Sequence, residues 1–569
     1  MAELEAKVAS LTKLLEAQGL QDSTSPEDAD TADTPATSTG SGLDKGAGKK
    51  RKLEATSRAE PDIDEEPRHL LDHLVTTEQQ QKVVDNYVQE LVPRLPIVPV
   101  RGDYSVKALR SKSPTLFGAI IYAGSQGVLD LDTQEEIAKV FLDELTSKTI
   151  AAGEKSLELI QAIQISSIWY RSPKHHKFVA AFQLIQMATS VATDIWLGEP
   201  ILGEPGSGNL TTSYLRSQHY TDFEPADGWR AWLVCYMTSA SMAIFMRRPN
   251  EQKWTQHHND CLFMLEYSPH ALPTDRLLCQ YIRAEHLCDQ IASQLHFGDY
   301  TVCHDVSEPV TKFLMQDLQN KITDWKSPIP MTLRRPSLTF WEHATTIYLH
   351  EPLLHTLTNK QTFSAPFLAE RLSMTDFPAP MVTKEHVASI YALKDACYQL
   401  VDLYTGLKAM EAISLPGMLF AARVVYAVYM LMKLYIATSA IGNTYGAVLD
   451  RNDIKVGEYL DRVAECGIRL QRIDQRAGAT RVLGAAERMK EWLTNYNATL
   501  QGKELDNVAD IGVPLSEPYS LVQNDELGID WNAFNTASDS FNAGQYDFDN
   551  LSQPIPHGWP SGNGPQPYP

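Results

Sequence analysis

Apolar residues recur at the pitch of an α-helix through most of this chain, from about His69 to about Tyr496, and that periodicity restricts its fold more than any other feature. Phe178, Ala181, Phe182, Ile185, Ala188, Thr189, Ala192, Ile195 and Trp196 step by three or by one, which puts them on one helix face. Trp229, Leu233, Tyr236, Met237, Ala240 and Ile244 repeat the pattern, as do Leu278, Tyr281, Ile282, Cys288, Ala292 and Leu295. Such stripes are core faces first. Runs of alternating Val, Ile or Thr are few and no repeat of fixed period occurs, so the expected fold is all-α, one large helical domain over residues 65–500. Met418 to Ala440 is nearly continuous in apolar residues and long enough to pass for a membrane span. Arg423 and Lys433 interrupt it, and a charge at mid-bilayer costs about 2.5–3.5 kcal/mol. It reads as a buried core helix, with no membrane as a partner.

The two ends differ from this body in kind. In residues 1–18, Leu4, Val8, Leu11 and Leu15 are spaced four, three and four apart, the stagger of a short coiled-coil seam that would pair two chains. A stray amphipathic helix gives the same pattern over so few turns. Residues 19–64 form an expected disordered linker: QDSTSPEDADTADTPATSTGSGLD (21–44) holds no basic residue and almost nothing to bury. Behind it lie Lys45 and the run Lys49, Lys50, Arg51 and Lys52, an accessible cation cluster that suits a nuclear import receptor or is simply a solvated charge run. Residues 501–569 form an expected disordered tail, in which positions 504–569 carry ten acids and no Lys or Arg. Trp531, Phe534, Phe541 and Phe548 are interleaved with those acids, the composition of a transcriptional activation segment that contacts coactivators, or of an idle acidic tail.

Charge and cysteine usage narrow the function classes. The formal net charge is −21, which repels nucleic acid and anionic lipid except where cations are gathered. Seven cysteines, odd in number and unpatterned, argue against a disulfide scaffold and for a reducing compartment. Met1–Leu20 is punctuated by charges and lacks the apolar stretch of a secretory signal, so no export is expected.

Catalytic constellations fail one by one, and the expectation is no enzyme and no cofactor in this chain. His350-Glu351-Pro352-Leu353-Leu354-His355 places its histidines five apart, so on a helix they diverge by about 140° rather than sharing a face as a zinc-protease motif requires. Gly203, Gly206 and Gly208 lack the Lys-Ser/Thr of a phosphate loop. No Gly-x-Ser-x-Gly elbow and no Asp-Asp-x-x-Asp cluster occurs. His175-His176 and His257-His258 are adjacent pairs that point to different faces, poor chelators and expected surface histidines.

Several blocks in this order resemble the fungal zinc binuclear cluster transcription factors, in the branch of the leucine-biosynthesis, weak-acid-response and secreted-protease regulators. They are YVQELVPRLPIVPV (87–100), EKSLELIQAIQISSIWY (154–170), FQLIQMATSVATDIWL (182–197), WRAWLVCYMTSASMAIFMRRPN (229–250), LPTDRLLCQYIRAEHL (272–287), IYLHEPLLH (347–355) and YAVYMLMKLYIA (426–437). The resemblance implies a large helical regulatory domain (the family's middle homology region), homodimers or heterodimers with related factors, nuclear localisation, and a role in RNA polymerase II transcription. Secreted-protease genes or a secondary-metabolite cluster are compatible targets. It also implies an N-terminal cluster of six cysteines holding two zinc ions. Cys235, Cys261, Cys279, Cys288, Cys303, Cys397 and Cys466 all lie in the helical body, none two residues from another, so that cluster is absent here. Zinc, and contact with promoter DNA, are expected only through an upstream module. Met1 stands where the post-cluster coiled coil would begin, which suggests a shortened gene model, an internal start, or a genuine form that modulates related factors by dimerising with them. An all-helical enzyme with an unrecognised site is the remaining alternative.

Overall fold

In the computed structural model, the described residues are 69–171, 180–199, 223–373, 381–439 and 445–505; every regular element among them is helical and no strand occurs. They fall within one compact unit that starts at Glu66. Its first part carries α1 (Thr77–Asn86), α2 (Val106–Lys112), α3 (Pro114–Gly124), α4 (Leu131–Thr146) and α5 (Leu157–Ile168). The middle holds α6 (Ala181–Asp194), α7 (Pro225–Phe245), α8 (Gln256–Tyr267), α9 (Asp275–Gln294), α10 (Pro309–Lys326) and α11 (Pro336–His350). The last part comprises α12 (Lys384–Thr405), α13 (Ala409–Ser414), α14 (Ala421–Ser439), α15 (Val456–Gln471), α16 (Gly478–Leu483) and α17 (Ala485–Leu505).

Local chemistry starts these helices where it should. Thr76 and Gln79 form a reciprocal capping box at α1, with Thr76 N–H donating to Gln79 Oε1 at 3.0 Å and Gln79 N–H to Thr76 Oγ1 at 3.3 Å. Asp130 and Ser156 accept the third backbone N–H of α4 and α5. Proline opens α3, α7, α10 and α11, where its missing N–H costs nothing.

Packing then runs roughly along the chain. α3 packs on α5, α5 on α6, α6 on α7, α7 on α9, α9 on α11, α11 on α12 and α12 on α14. The predicted stripes bury as expected on α6 and α9, where Ala181, Ile185, Ala188 and Ala192, then Leu278, Tyr281, Ile282 and Cys288, face the core. Phe178 lies outside the described residues. On α7 the stripe understates the burial. Arg230, Thr238, Ser239 and Ser241 are buried along with the apolar face, because helices cover α7 on all sides. α14 is the one described helix long and apolar enough to cross a membrane, and 94% of its most apolar window is buried inside the protein.

Both charges of α14 are answered internally. Arg423 Nη2 donates to Glu285 Oε1 and Oε2 at 2.8 and 2.9 Å and to Ser241 Oγ at 3.1 Å, while Nη1 reaches Leu419 O at 2.7 Å. Trp341 Nε1 donates to the same carboxylate at 2.9 Å. One buried carboxylate thus ties together α7, α9, α11 and α14. Burial works against the Arg423 charge, but Glu285 opposite it raises its pKa above the ordinary arginine value. Lys433 Nζ donates to Thr362 Oγ1 at 2.6 Å and lies 4.1 Å from the Phe363 ring centre.

A second ionic layer follows one turn along α14. Arg247 Nη2 donates to Glu351 Oε2 at 2.9 Å, and Tyr426 O–H donates to the same oxygen. At the other end of α7, Arg230 grips Asp275 through two 2.8 Å bonds. Such pairs hold register more than they add net stability, since burial of the ions offsets most of their attraction. Stranding one partner is costly all the same. The Arg423→Met protein, which leaves Glu285 buried without its cation, is expected to lose about 3–5 kcal/mol, read as a lowered urea midpoint. Arg423→Met combined with Glu285→Leu should recover most of that loss.

Candidate functional site: a ring-walled cleft

A cleft of about 720 Å³ opens between α8, α9 and the segment that leaves α10. Its inner wall begins at Trp254, which precedes α8. The indole stacks on the His286 ring at 3.9 Å between centres, tilted 17°, and on His258 at 4.9 Å and 23°. Trp254 Nε1 donates to Asn259 Oδ1 at 3.2 Å. Trp325, Pro328 and Pro330 also line it, with Trp325 Nε1 donating to Gln280 Oε1 at 3.2 Å. Along one edge Arg283 forks onto Glu266, with Nη2 to Oε2 at 2.9 Å.

The polar groups behind this wall are held uncharged or paired. Burial, aided by neighbouring His257 and His286, lowers the His258 pKa to about 4. Burial, aided by Lys321, lowers that of His286 likewise to about 4. Gln290 Nε2 donates to His286 Nε2 at 2.8 Å, which leaves the ring hydrogen on Nδ1 facing Tyr236 Oη at 2.8 Å; Tyr236 O–H donates onward to Asp289 Oδ2 at 2.7 Å. Burial raises the Asp289 pKa above the usual carboxylate range. His258 caps its own helix: Nδ1 accepts the Thr255 N–H at 3.1 Å, and its buried Nε2 has no partner. Among the described residues, the lining of the cleft holds no serine, threonine, cysteine or lysine side chain.

Burial overturns one expectation from sequence. His257 and His258 are not surface residues: they are 6% and 0% exposed, since the start of α8 is covered on both sides. His257 Nε2 donates to Leu197 O at 2.9 Å on one side, while the rings of Trp232, Tyr236 and Trp254 enclose His258 on the other. His350 and His355 are set apart by a 3₁₀ turn over Glu351–Leu354; His350 Nδ1 meets Ser389 Oγ at 3.1 Å and His355 Nε2 donates to Glu351 Oε1 at 2.7 Å. Six of the seven cysteines are buried, and all seven are free thiols.

The residues singled out by sequence for dimerisation (Leu4, Val8, Leu11, Leu15), import (Lys49, Lys50, Arg51, Lys52) and activation (Trp531, Phe534, Phe541, Phe548) lie outside the described residues, as do His175, His176 and the glycines at 203, 206 and 208. The cleft, by contrast, was missed by sequence reasoning. Trp254, Gln280, Trp325 and Leu333 come from separate elements and carry no shared spacing, so only their burial pattern in three dimensions assembles them.

Comparison with known families decides the affiliation. The WAR1 C-terminal domain matches residues 53–454, well over half of the chain. The chain belongs to this family, and so to the fungal zinc-cluster type of regulator that its blocks resemble. The matched span contains the cleft and the Glu285 hub and excludes α15–α17. Transcription factor pbcR of Emericella nidulans is 24% identical over 68% of this chain and 49% of its own length. Transcriptional regulator WAR1 of Candida albicans is 22% identical over 63% and 35%, and Weak acid resistance protein 1 of Saccharomyces cerevisiae 20% over 65% and 40%. The chain therefore spans about half or less of the length of these relatives. No solved structure matches it.

The buried imidazoles make the fold acid-sensitive. His258 and His355 have pKa values lowered to about 4, chiefly by burial, against 6.5 for an exposed ring. Between those limits the unfolded chain binds more protons than the folded one, so stability should fall as pH drops from 6.5 to 4, by up to about 1.4 kcal/mol per pH unit for each ring. Above pH 6.5 these groups add no pH dependence. Urea midpoints measured across this range should show a shallower slope in His258→Phe than in the parent protein.

Proposed function

We propose that this chain is the regulatory and activating part of a nuclear, pathway-specific transcription factor acting on RNA polymerase II genes. The observation that carries the reading is the family match over residues 53–454, a helical domain shared with relatives named as transcription factors and regulators. The charge layout supports it: cations gathered at Lys49–Lys52 before the domain, and acids mixed with Trp531, Phe534, Phe541 and Phe548 after it. In this reading Leu4, Val8, Leu11 and Leu15 pair the chain with a second copy or a related factor, and the tail recruits coactivators. Promoter DNA is contacted through a zinc module that these residues do not contain, and the domain itself performs no catalysis.

A second reading is favoured by one specific observation, that none of the seven cysteines forms a Cys-x2-Cys pair. In this reading the chain acts by dimerising with related factors and modulating them, and the major groove is gripped by the partner's module. An in-frame upstream exon with six cysteines in the transcript supports the first reading; transcripts that begin at Met1 support the second.

Two measurements test the shared claims. Residues 504–569 fused to an unrelated DNA-binding domain should activate a reporter, and alanine at all four tail aromatics should remove most of that signal. The full chain with Lys49, Lys50, Arg51 and Lys52 replaced by alanine should shift from the nucleus to the cytoplasm when followed as a fluorescent fusion; unchanged accumulation would remove the import role.

A further inference from the structure

The connection into α11 carries a pattern that the regulatory reading leaves unused. Residues 333–338 read Leu-Arg-Arg-Pro-Ser-Leu. Adjacent arginines occur at two places in the chain, 247–248 and 334–335, and only the second has a hydroxyl residue two positions on, Ser337 where the first has Asn250. Burial separates the two places as well. Arg247 is buried against Glu351, whereas Arg334 and Arg335 are exposed. Both have extended backbone, with φ −72° and ψ 96° at Arg334 and φ −114° and ψ 155° at Arg335. Arg334 Nη2 donates to Lys326 O at 3.1 Å and Arg335 Nη1 to Pro93 O at 2.8 Å. A partner's carboxylates can take over both groups, because a bond between two charges is stronger than one to a neutral carbonyl. Two cations shortly ahead of a serine form the charge pattern by which a basophilic kinase selects its substrates.

The hydroxyl of Ser337 is held by one contact. Ser337 is half-buried, the second residue of α11, and its Oγ lies 2.5 Å from Tyr281 Oη. Tyr281 has a single O–H and donates it to Arg94 O at 3.1 Å, so the hydrogen in the shorter contact belongs to Ser337. Pro336 brings no N–H, and the first turn closes on Arg335 O, which accepts from Leu338 N at 2.9 Å and Thr339 N at 3.0 Å. Leu338 anchors the turn in the core. Such a helix end can open while the rest of the domain stays folded, and the opening presents Arg334, Arg335 and Ser337 as one extended segment.

We infer that Ser337 is a phosphorylation site for a basophilic serine kinase, gated by its hydrogen bond to Tyr281. In the transfer, Ser337 Oγ attacks the γ-phosphorus of magnesium-bound ATP. An Oγ–P bond forms, the bond from that phosphorus to the bridging oxygen of the β-phosphate breaks, ADP leaves, and the hydroxyl proton passes to the kinase's base. The product does not close as before. Its ester oxygen has no hydrogen for Tyr281, and a group of charge about −2 stands beside the contact, where Arg335 is the cation that acts on Tyr281. The inference stands beside the regulatory reading and does not rest on it.

The purified full chain, incubated with magnesium-ATP and the catalytic subunit of a cyclic-AMP-dependent kinase, should take up about one phosphate per chain, which peptide mass spectrometry places on Ser337. Ser337→Ala should lose that uptake. Arg334→Ala combined with Arg335→Ala should lower the initial rate by about tenfold or more, since the kinase's acids lose both partners. Tyr281→Phe removes the acceptor of the Ser337 hydrogen and should raise the rate several-fold, a response that a motif read regardless of the fold would not give. In the phosphorylated chain, the amides of residues 338–341 should exchange hydrogen faster than in the parent. The inference is overturned if phosphate arrives elsewhere and not on Ser337, or if the doubly substituted chain is modified as fast as the parent. It is also overturned if a folded Tyr281→Phe protein is modified no faster, or if exchange at residues 338–341 is unchanged. The site assignment, the arginine variant and the exchange measurement need no change in the core, so they decide the matter even where Tyr281→Phe fails to fold.

Discussion

A single buried carboxylate organises the middle of this protein. Glu285 on α9 receives Arg423 from α14 and Trp341 from α11, while Arg423 also reaches Ser241 on α7. An ion brought into an apolar interior must be answered where it lies, because leaving it unpaired costs several kcal/mol. Four helices are therefore locked in one register, which a purely apolar interface would leave free to slide. The Arg247–Glu351–Tyr426 layer repeats the device one turn along α14 and adds the segment at Phe363, whose carbonyl accepts from Arg247 Nε at 3.0 Å. The cleft depends on this frame, since α9 carries both Glu285 inward and Gln280, Arg283 and His286 toward the cleft.

The ring wall shows how a functional surface grows from the same packing. Tyr236 leaves α7 to meet His286 and Asp289, and Trp254 covers both histidines. Two buried atoms beside this path have no hydrogen-bond partner, Nε2 of His258 and Oε1 of Gln290. Buried groups without partners are uncommon in folded proteins, and here two lie behind the cleft's inner wall.

Much of the fold could be read from residue order because helical periodicity is a local signal. α6, α7, α9 and α14 all lie where their apolar spacing placed them. The same signal failed where burial exceeds a single face. Thr238 and Ser239 fall away from the apolar stripe of α7 and sequence places His258 at the surface, yet all three are buried because several helices converge on them. The candidate cleft was illegible for a related reason: Trp254 and Trp325 are 71 positions apart in the chain. Stacking and hydrogen bonds across such distances leave no spacing to recognise.

Residue order alone determined the all-helical class, the internal character of the Met418–Ala440 segment, the contrast in charge between the two ends and the blocks that carry the family. All of these follow from properties of neighbouring residues, periodicity and composition, which need no partner to be defined. Tertiary structure alone decided which carboxylate answers Arg423, that His257 and His258 are interior, and where a ring-walled cleft opens. Those outcomes depend on which surfaces meet, and contact between distant segments exists only once the helices have packed.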